Sequence, residues 1–510
     1  MEFNANGIES NFGFIDWCIV IVYLLVIVAV GVYIKRYISD VTDFIVAGRG
    51  LKTFLAVATM IGTELGLVTV MYSAQKGFTG GFAAFHIALA SAIVSLVVGL
   101  TGFIVVPLRR MKVMTIPEFY ERRFGRGVRI LGGTILAFSG ILNMGMFLKA
   151  GSIFVMGITG MTSELELKII MTALLAIVLL YTSLGGMVSV VVSDYIQFVL
   201  LSFSLLAMCI LSIKHLSWPI IVETVSLLKG QAGFNPLHSE GFGASYVVWM
   251  FFLGLVNCAI WQTAVIRACS VESTRVVKRL YIWSSIGFLI RNLLPCFLGI
   301  SALVYIVQNQ SLKNIFLPEG AEADPQLTLM AMPIFLSQIL PVGVLGFVAA
   351  GMLAAFMSTH DSYLLCWSSV LTQDVVTPWF RKGLSSKTRL LLTRIFIVAI
   401  GIFILVWGLW YDLGQDLWDY MAISGAIYFT GAIALLVFGL YWKRAGKVGA
   451  YLALICGFGA ILGLKPVQAL LGIELSSAVV GLTVVALAIA LMLVGSLLFP
   501  GRGEPLEYKE

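Results

Sequence analysis

Gly351–Asp361 reads Gly-Met-Leu-Ala-Ala-Phe-Met-Ser-Thr-His-Asp, inside an apolar run from about Val342 to Leu371. That run is long enough to cross a bilayer. A lipid-facing helix has no use for Ser358, Thr359, His360 and Asp361 in succession. Polar and ionisable groups at membrane depth are costly, so they face a cavity and mark an ion or substrate path. On a helix, Ala355, Ser358, Thr359, Asp361 and Ser362 share one face by the i, i+3, i+4 rule. That face offers hydroxyl and carboxylate oxygens and no soft ligand, a donor set that suits hard cations. The expectation is a cation site in a transporter.

Composition places this helix in a polytopic membrane protein. The 510 residues are 60% hydrophobic and only 12% charged, whereas soluble domains carry about 25% charged residues. The net charge of +7 does not indicate a nucleic-acid binder, because the basic residues sit in short loops and no aromatic-interleaved basic patch occurs. The seven cysteines (18, 209, 258, 269, 296, 366 and 456) lie in or beside apolar runs with no paired spacing. They read as apolar packers, with neither a disulfide frame nor a metal site other than sodium. No Gly-rich phosphate loop with its lysine and hydroxyl is present, so an ATP-driven pump is not expected. Nor is an enzyme or an organic cofactor. The first apolar run, near Phe14, is preceded by Glu2 and Glu9 and by no Lys or Arg. A cleaved signal peptide wants a basic start, so a retained span is expected there.

Thirteen spans are predicted, at about 14–34, 53–75, 82–107, 130–157, 167–185, 190–213, 245–266, 280–308, 342–371, 390–411, 416–441, 448–470 and 477–499. With the N-terminus outside, 25 of the 33 basic residues fall on the inner side, among them Arg267. The positive-inside rule therefore puts the C-terminus in the cytoplasm and the chain in the plasma membrane, or the inner membrane of a bacterium. The longest outer loops, about 214–244 and 309–341, are expected to carry short surface helices. No soluble domain is expected.

Several spans hold unusual residues. The second contains Met60-Ile-Gly-Thr-Glu-Leu-Gly66. Two glycines and an intramembrane glutamate are explained by a broken helix lining a cavity, whose freed carbonyls would coordinate a cation. The other reading is a close-packing glycine pair with Glu64 neutral or salt-bridged. Asp194 and Gln197 lie at the inner mouth of the sixth span, where an aspartate is either a ligand or a cap. Asn257, Trp261 and Gln262 bond either a solute or neighbouring helices. Arg291 lies too deep in the eighth span to snorkel. It either pairs with Glu64 or Asp361, or faces an anionic or zwitterionic solute. His86 reads as a packing histidine or a ligand. Thr115–Gly125, with Pro117 in its first turn, reads as a surface helix.

Taken together, six segments resemble the sodium/solute symporter family, whose members transport sugars, proline, pantothenate, sialic acid and similar solutes. They are Asp43–Arg49, Thr115–Gly125, Tyr181–Gln197, Gln262 with Arg267, Ala354–Thr359 with Asp374, and Gly439–Ala445 with Gly449 and Ala450. The resemblance implies an all-α membrane protein with a leucine-transporter-like core of two five-helix inverted repeats. These would occupy 46–213 and 245–441, after one helix in 1–45 and before two in 442–510. It implies a sodium site of Gly62, Leu65 and Ala355 carbonyls with the Ser358 and Thr359 hydroxyls. A second cation or proton site would use Asp194, Ser358, Asp361 and Ser362, with Asp361 standing where the family has serine. The sugar branch's hydrogen-bonding set falls on Thr69, Ala88, Asn257 and Arg291. Only the basic residue is kept in kind, which argues against glucose or galactose and leaves another polyol or an anionic sugar open.

The resulting expectation is a sodium-coupled symporter that imports a small polar organic solute by alternating access. The solute would contact Glu64, Thr69, Tyr72, His86, Asn257, Arg291 and Tyr428. Proton coupling on the same scaffold and a transporter-like membrane sensor are the alternatives. Solute, sodium and the bilayer are the expected partners; neither nucleic acid nor an obligate protein partner is expected.

Overall fold

Long apolar runs bounded by capping residues make this chain helical. The computed structural model describes residues 10–34, 49–161, 163–239, 241–318, 324–380, 383–411 and 416–501, except the side chains at 31, 32, 34, 181 and 183–189. Residues 43–48 of the Asp43–Arg49 segment, Glu2, Glu9, and the basic residues Lys35, Arg36, Arg381, Lys382, Arg502 and Lys509 lie outside the described residues.

The principal helices are α1 (Phe14–Ile34), α2 (Thr53–Glu64), α3 (Leu67–Gly80), α4 (Phe85–Thr101), α5 (Ile116–Phe124), α6 (Arg126–Met144), α7 (Phe147–Thr159) and α8 (Glu164–Leu216). They continue as α9 (Gly243–Leu255), α10 (Gln262–Ser270), α11 (Thr274–Gln308), α12 (Val344–Val370), α13 (Ser386–Trp410), α14 (Leu417–Tyr441), α15 (Lys447–Cys456) and α16 (Ser477–Leu498). Among the described residues there is no strand, only a bridge between Leu51 and Val271 that ties the start of α2 to the end of α10. Among the described residues nine helical stretches are long and apolar enough to cross a membrane, or ten if the bent pair Lys447–Gly463 and Lys465–Leu471 counts as one. Phe14–Val30 and Thr53–Glu64 are apolar but shorter. The two long loops carry the helices Trp218–Lys229, Gln310–Phe316 and Pro325–Ile339, the last of which is buried in the bundle and not the short surface helix expected.

The quoted stretch lies at the centre. In α12, 89% of the apolar window is buried, against 28% in α13. A helix buried all round must place its polar groups against protein partners. α8 is a single 53-residue helical run; straight, it would be about 80 Å long, far beyond a bilayer core. Its first part runs antiparallel to α13, with Met171 on Gly408 and Leu179 on Gly401. Its second part runs antiparallel to α12, with Asp194 at the level of Ser362 and Ser204 on Gly351. Since α12 and α13 run in opposite directions, the run doubles back.

Two breaks in helical stretches meet α12. α2 ends at Glu64, Leu65 (φ −92°, ψ 58°) leaves the helix, and α3 restarts at Leu67. Gly66 is required at this point, because a Cβ would lie 1.9 Å from Thr359 Oγ1. The second break follows a π-turn at Val256–Ile260, where Trp261 is extended (φ −78°, ψ 130°) before α10 begins. Trp261 Nε1 donates to Tyr363 Oη at 3.1 Å, one turn along α12 from Thr359. The chain start is also fastened to α12: Asp16 accepts the Gly343 and Gly346 amides at 2.7 and 2.6 Å.

The surface helix α5 is structural. Thr115 caps it by accepting the Glu118 amide, and donates to Asp374 at 2.9 Å. Arg129 bonds Asp374 at 2.8 Å and also pairs with Glu121. Gln262 accepts the Ile116 amide at 2.9 Å. Residues far apart in sequence thus form one polar clamp joining α5, α6, α10 and the end of α12.

Candidate functional site

Ending α2 inside the protein frees its last carbonyls, which need partners. Ser358 Oγ lies 3.1 Å from Gly62 O and 3.0 Å from Ala355 O. Thr359 Oγ1 lies 3.2 Å from Thr63 O and 3.1 Å from Ala355 O. Glu64 O accepts from Thr69 Oγ1 at 3.0 Å and from Arg291 at 3.1 Å. Two hydroxyls with one proton each therefore face three carbonyls, at the negative end of the α2 dipole. Such an oxygen cluster attracts a hard monovalent or divalent cation. The structure brings Gly62, Ala355, Ser358 and Thr359 together and adds the Thr63 carbonyl. Leu65 occupies the break itself.

The neighbouring cluster corrects the sequence-based expectation. The positive-inside reading places Arg267 among the inner-side basic residues. Arg267 is instead buried, with 1% of its side chain exposed, against a fully buried Asp194 at 3.3 Å. It also donates to Thr63 Oγ1, to Ser362 Oγ at 2.8 Å, and to the Thr59 and Thr263 carbonyls at 3.2 and 3.0 Å. Asp194 Oδ2 further accepts from Thr59 Oγ1 at 2.7 Å and Thr63 Oγ1 at 3.0 Å. Ser362 Oγ donates to Asp361 Oδ1 at 3.2 Å. The guanidinium thus lies among Asp194 and Ser362, two of the four residues assigned to a second cation. The break at Trp261 turns α10 so that Arg267 points into the bundle rather than out of it. His360, on the same helix, bonds Phe356 O at 2.8 Å and packs on Phe356 and Phe147.

Arg291 takes the first of its two readings. It pairs with Glu64 at 2.6 Å, both side chains nearly buried. Thr263 Oγ1 also approaches Glu64, at 3.4 Å. This pair fastens α11 to the break through Nη1 of Arg291.

A cavity between α6, α9 with its π-turn, α12 and α14 is lined by Asn143, Asn257, Trp261, Tyr363, Trp418 and Phe429, with Leu253, Val256, Met421, Ala422 and Gly425. Of the seven expected solute residues, Asn257 lines it, and Tyr72 packs at a tilt against its Trp418 wall with centroids 4.4 Å apart. Glu64, Thr69 and Arg291 belong to the break. His86 bonds Ala83 O at 2.7 Å and packs against Phe242 and Tyr246. Tyr428 faces the other way, its hydroxyl 2.8 Å from that of Tyr120; neither of these two is part of the cavity. Sequence reasoning missed Asn143, Tyr363 and Trp418. Tyr363 carried a signal, one helical turn after Thr359. Beside the cavity, Lys76 at the end of α3 bonds Asp416 at 2.8 Å and Asp419 at 2.9 Å, and Tyr246 donates to Asp419 at 3.3 Å. Lys76 in an apolar span was likewise unread.

This chain has extensive likenesses among known proteins. The sodium/glucose cotransporter of Vibrio parahaemolyticus is 24% identical over 491 residues, covering 90% of this chain and 87% of its own. The sodium/sialic acid symporter of Proteus mirabilis is 25% identical over 467 residues, covering 89% and 90%. The sodium/proline symporter 2 of Staphylococcus saprophyticus is 25% identical over 480 residues, covering 89% and 86%. A solved structure of a sodium-coupled sialic acid symporter, substrate-bound and outward-open, superposes with a TM-score of 0.81 over 97% of this chain and 100% of that one, at 20% identity. It shows that the two share a fold. The sodium:solute symporter model matches residues 44–457. The chain is a multi-pass membrane transport protein and belongs to the sodium:solute symporter family.

Proposed function

We propose that this chain is a sodium-coupled secondary transporter that imports a small polar organic solute by alternating access. The observation carrying this reading is the oxygen cluster of Gly62, Thr63, Ala355, Ser358 and Thr359, which bridges the broken α2–α3 helix and α12. Sodium at this point, with Leu65 O completing the set, links the two elements and so favours the conformation in which they meet. A solute held beside it is coupled by the same free energy in both directions. Arg267 supplies a fixed positive charge to the second cluster, so one sodium per solute is the stoichiometry.

The solute lies among Asn143, Asn257, Trp261, Tyr363 and Trp418, a wall of amides and aromatic faces with no charged side chain. An uncharged polar solute fits this wall, since the nearby charges already pair with one another. Two five-helix repeats at 46–213 and 245–441 are supported by the two breaks, one in each. The thirteen-span reading is reached by counting α1, the broken α2–α3 and both halves of α8. With the basic loops inside, the N-terminus lies outside and the C-terminus in the cytoplasm.

The test is uptake by proteoliposomes of the full chain under an inward sodium gradient. The panel of sugars, polyols, amino acids, sialic acids, carboxylates and vitamins is chosen first by thermal stabilisation in sodium and in potassium. One solute should accumulate against its gradient only with sodium. Accumulation that ignores sodium would overturn the reading.

A further inference from the structure

A crevice of about 560 Å³ opens between α2, the second part of α8 and α11. That volume is in the range of ligand clefts, roughly 300–1,000 Å³. Its inner wall is Ile61, Leu65 and Gly287, and its rim carries Phe54, Trp283 and Ile290, which are exposed at 71%, 58% and 40%. The lining holds two hydroxyls, from Thr53 and Ser202. Ser202 already donates to Phe198 O at 2.7 Å, within its own helix. A water-soluble ligand finds almost no polar partner here. The walls are parts of apolar, membrane-crossing stretches, so the surroundings of the opening are hydrocarbon.

One end of the crevice is basic. Lys52 directly precedes the lining residue Thr53, and Arg279 lies one helical turn before Trp283; both are exposed. α2 and α11 run alongside in the same sense, with Ile61 against Gly287 and Glu64 against Arg291, so the two cations sit at the same end. We infer that the crevice holds an acyl chain of an anionic phospholipid, whose phosphate is taken by Lys52 and Arg279. The chain reaches Leu65, and it braces α2 against α11 immediately below the break. This site is separate from the solute cavity and does not depend on which solute is carried.

The test uses the full chain, exchanged into nanodiscs of equal phosphatidylglycerol and phosphatidylcholine, released into detergent, and weighed by native mass spectrometry. The wild type should retain one phosphatidylglycerol, several-fold over phosphatidylcholine. Lys52→Gln with Arg279→Gln should abolish that preference. Ser202→Trp, which fills the crevice, should remove retention of both lipids; if that variant does not fold, Ile290→Trp at the exposed rim serves instead. Equal retention of the two lipids by the wild type, or undiminished retention in the filled variant, overturns the proposal.

Discussion

Two oxygen-rich clusters lie one helical turn apart on α12 and have opposite electrostatic character. At Ser358 and Thr359, hydroxyls meet the freed carbonyls of Gly62 and Thr63, and among the described residues no cationic side chain bonds these two carbonyls. At Asp361 and Ser362, a carboxylate-rich pocket is entered by the buried guanidinium of Arg267. The first is built from weak, neutral ligands that bind and release an ion cheaply. The second contains a charge that cannot leave. On the proposed reading, similar oxygen donors serve a transported cation in one place, while in the other they surround a permanent one, and the difference is made by a side chain from α10.

The largest expected effect is on the second cluster. Arg267→Gln leaves Asp194 buried without its charged partner, which should cost about 3–5 kcal/mol of stability. Adding Asp194→Asn should recover most of that loss, measured as thermal stability in detergent. If the single variant is as stable as the wild type, the two clusters do not differ as described. In the first cluster, Ser358→Ala with Thr359→Ala should raise the sodium concentration for half-maximal uptake at least about tenfold, or about 1.4 kcal/mol, with expression unchanged. An unaltered sodium dependence would remove the cluster from the transport cycle.

Stoichiometry sharpens the contrast further. Parallel sodium and solute fluxes should give a ratio of one in the wild type, and a ratio of two would mean that Arg267 does not substitute for an ion. The smallest effect belongs to the clamp in which the buried Lys76 meets the partly exposed Asp416 and Asp419. Lys76→Met should leave half-maximal sodium unchanged while speeding solute exchange several-fold, because the bonds to Asp416 and Asp419 close the Trp418 side of the cavity. A shift in sodium dependence as large as that of the hydroxyl variants would couple this clamp to the first cluster.

Much of the first cluster was legible in the chain. Ser358 and Thr359 in a long apolar run, and Gly62 and Gly66 around Glu64, are local anomalies with local explanations. A helix face and a helix break are both written in adjacent residues. The second cluster was not legible in the same way. Arg267 follows an apolar run and looks like any loop-flanking basic residue until the extended Trp261 redirects α10. Arg291 had two open readings because its partner, Glu64, lies 227 positions away. The proposed solute cavity was the least legible. Its wall joins Asn143, Asn257, Tyr363 and Trp418 from four helical stretches, and ordinary apolar-span aromatics carry no mark of which face they turn inward.

By itself, then, the sequence determined the membrane environment, the helical class, the anomaly at Met60–Gly66 that a helix break explains, and the hydroxyl face of α12. These follow from hydropathy, glycine placement and helical period, which act over a few turns. Only the tertiary structure decided which charges neutralise one another, which polar groups remain to bind cargo, and which aromatics line the cavity. Those outcomes depend on the energy of burying one charge without another, and the partner that lowers it comes from a distant part of the chain.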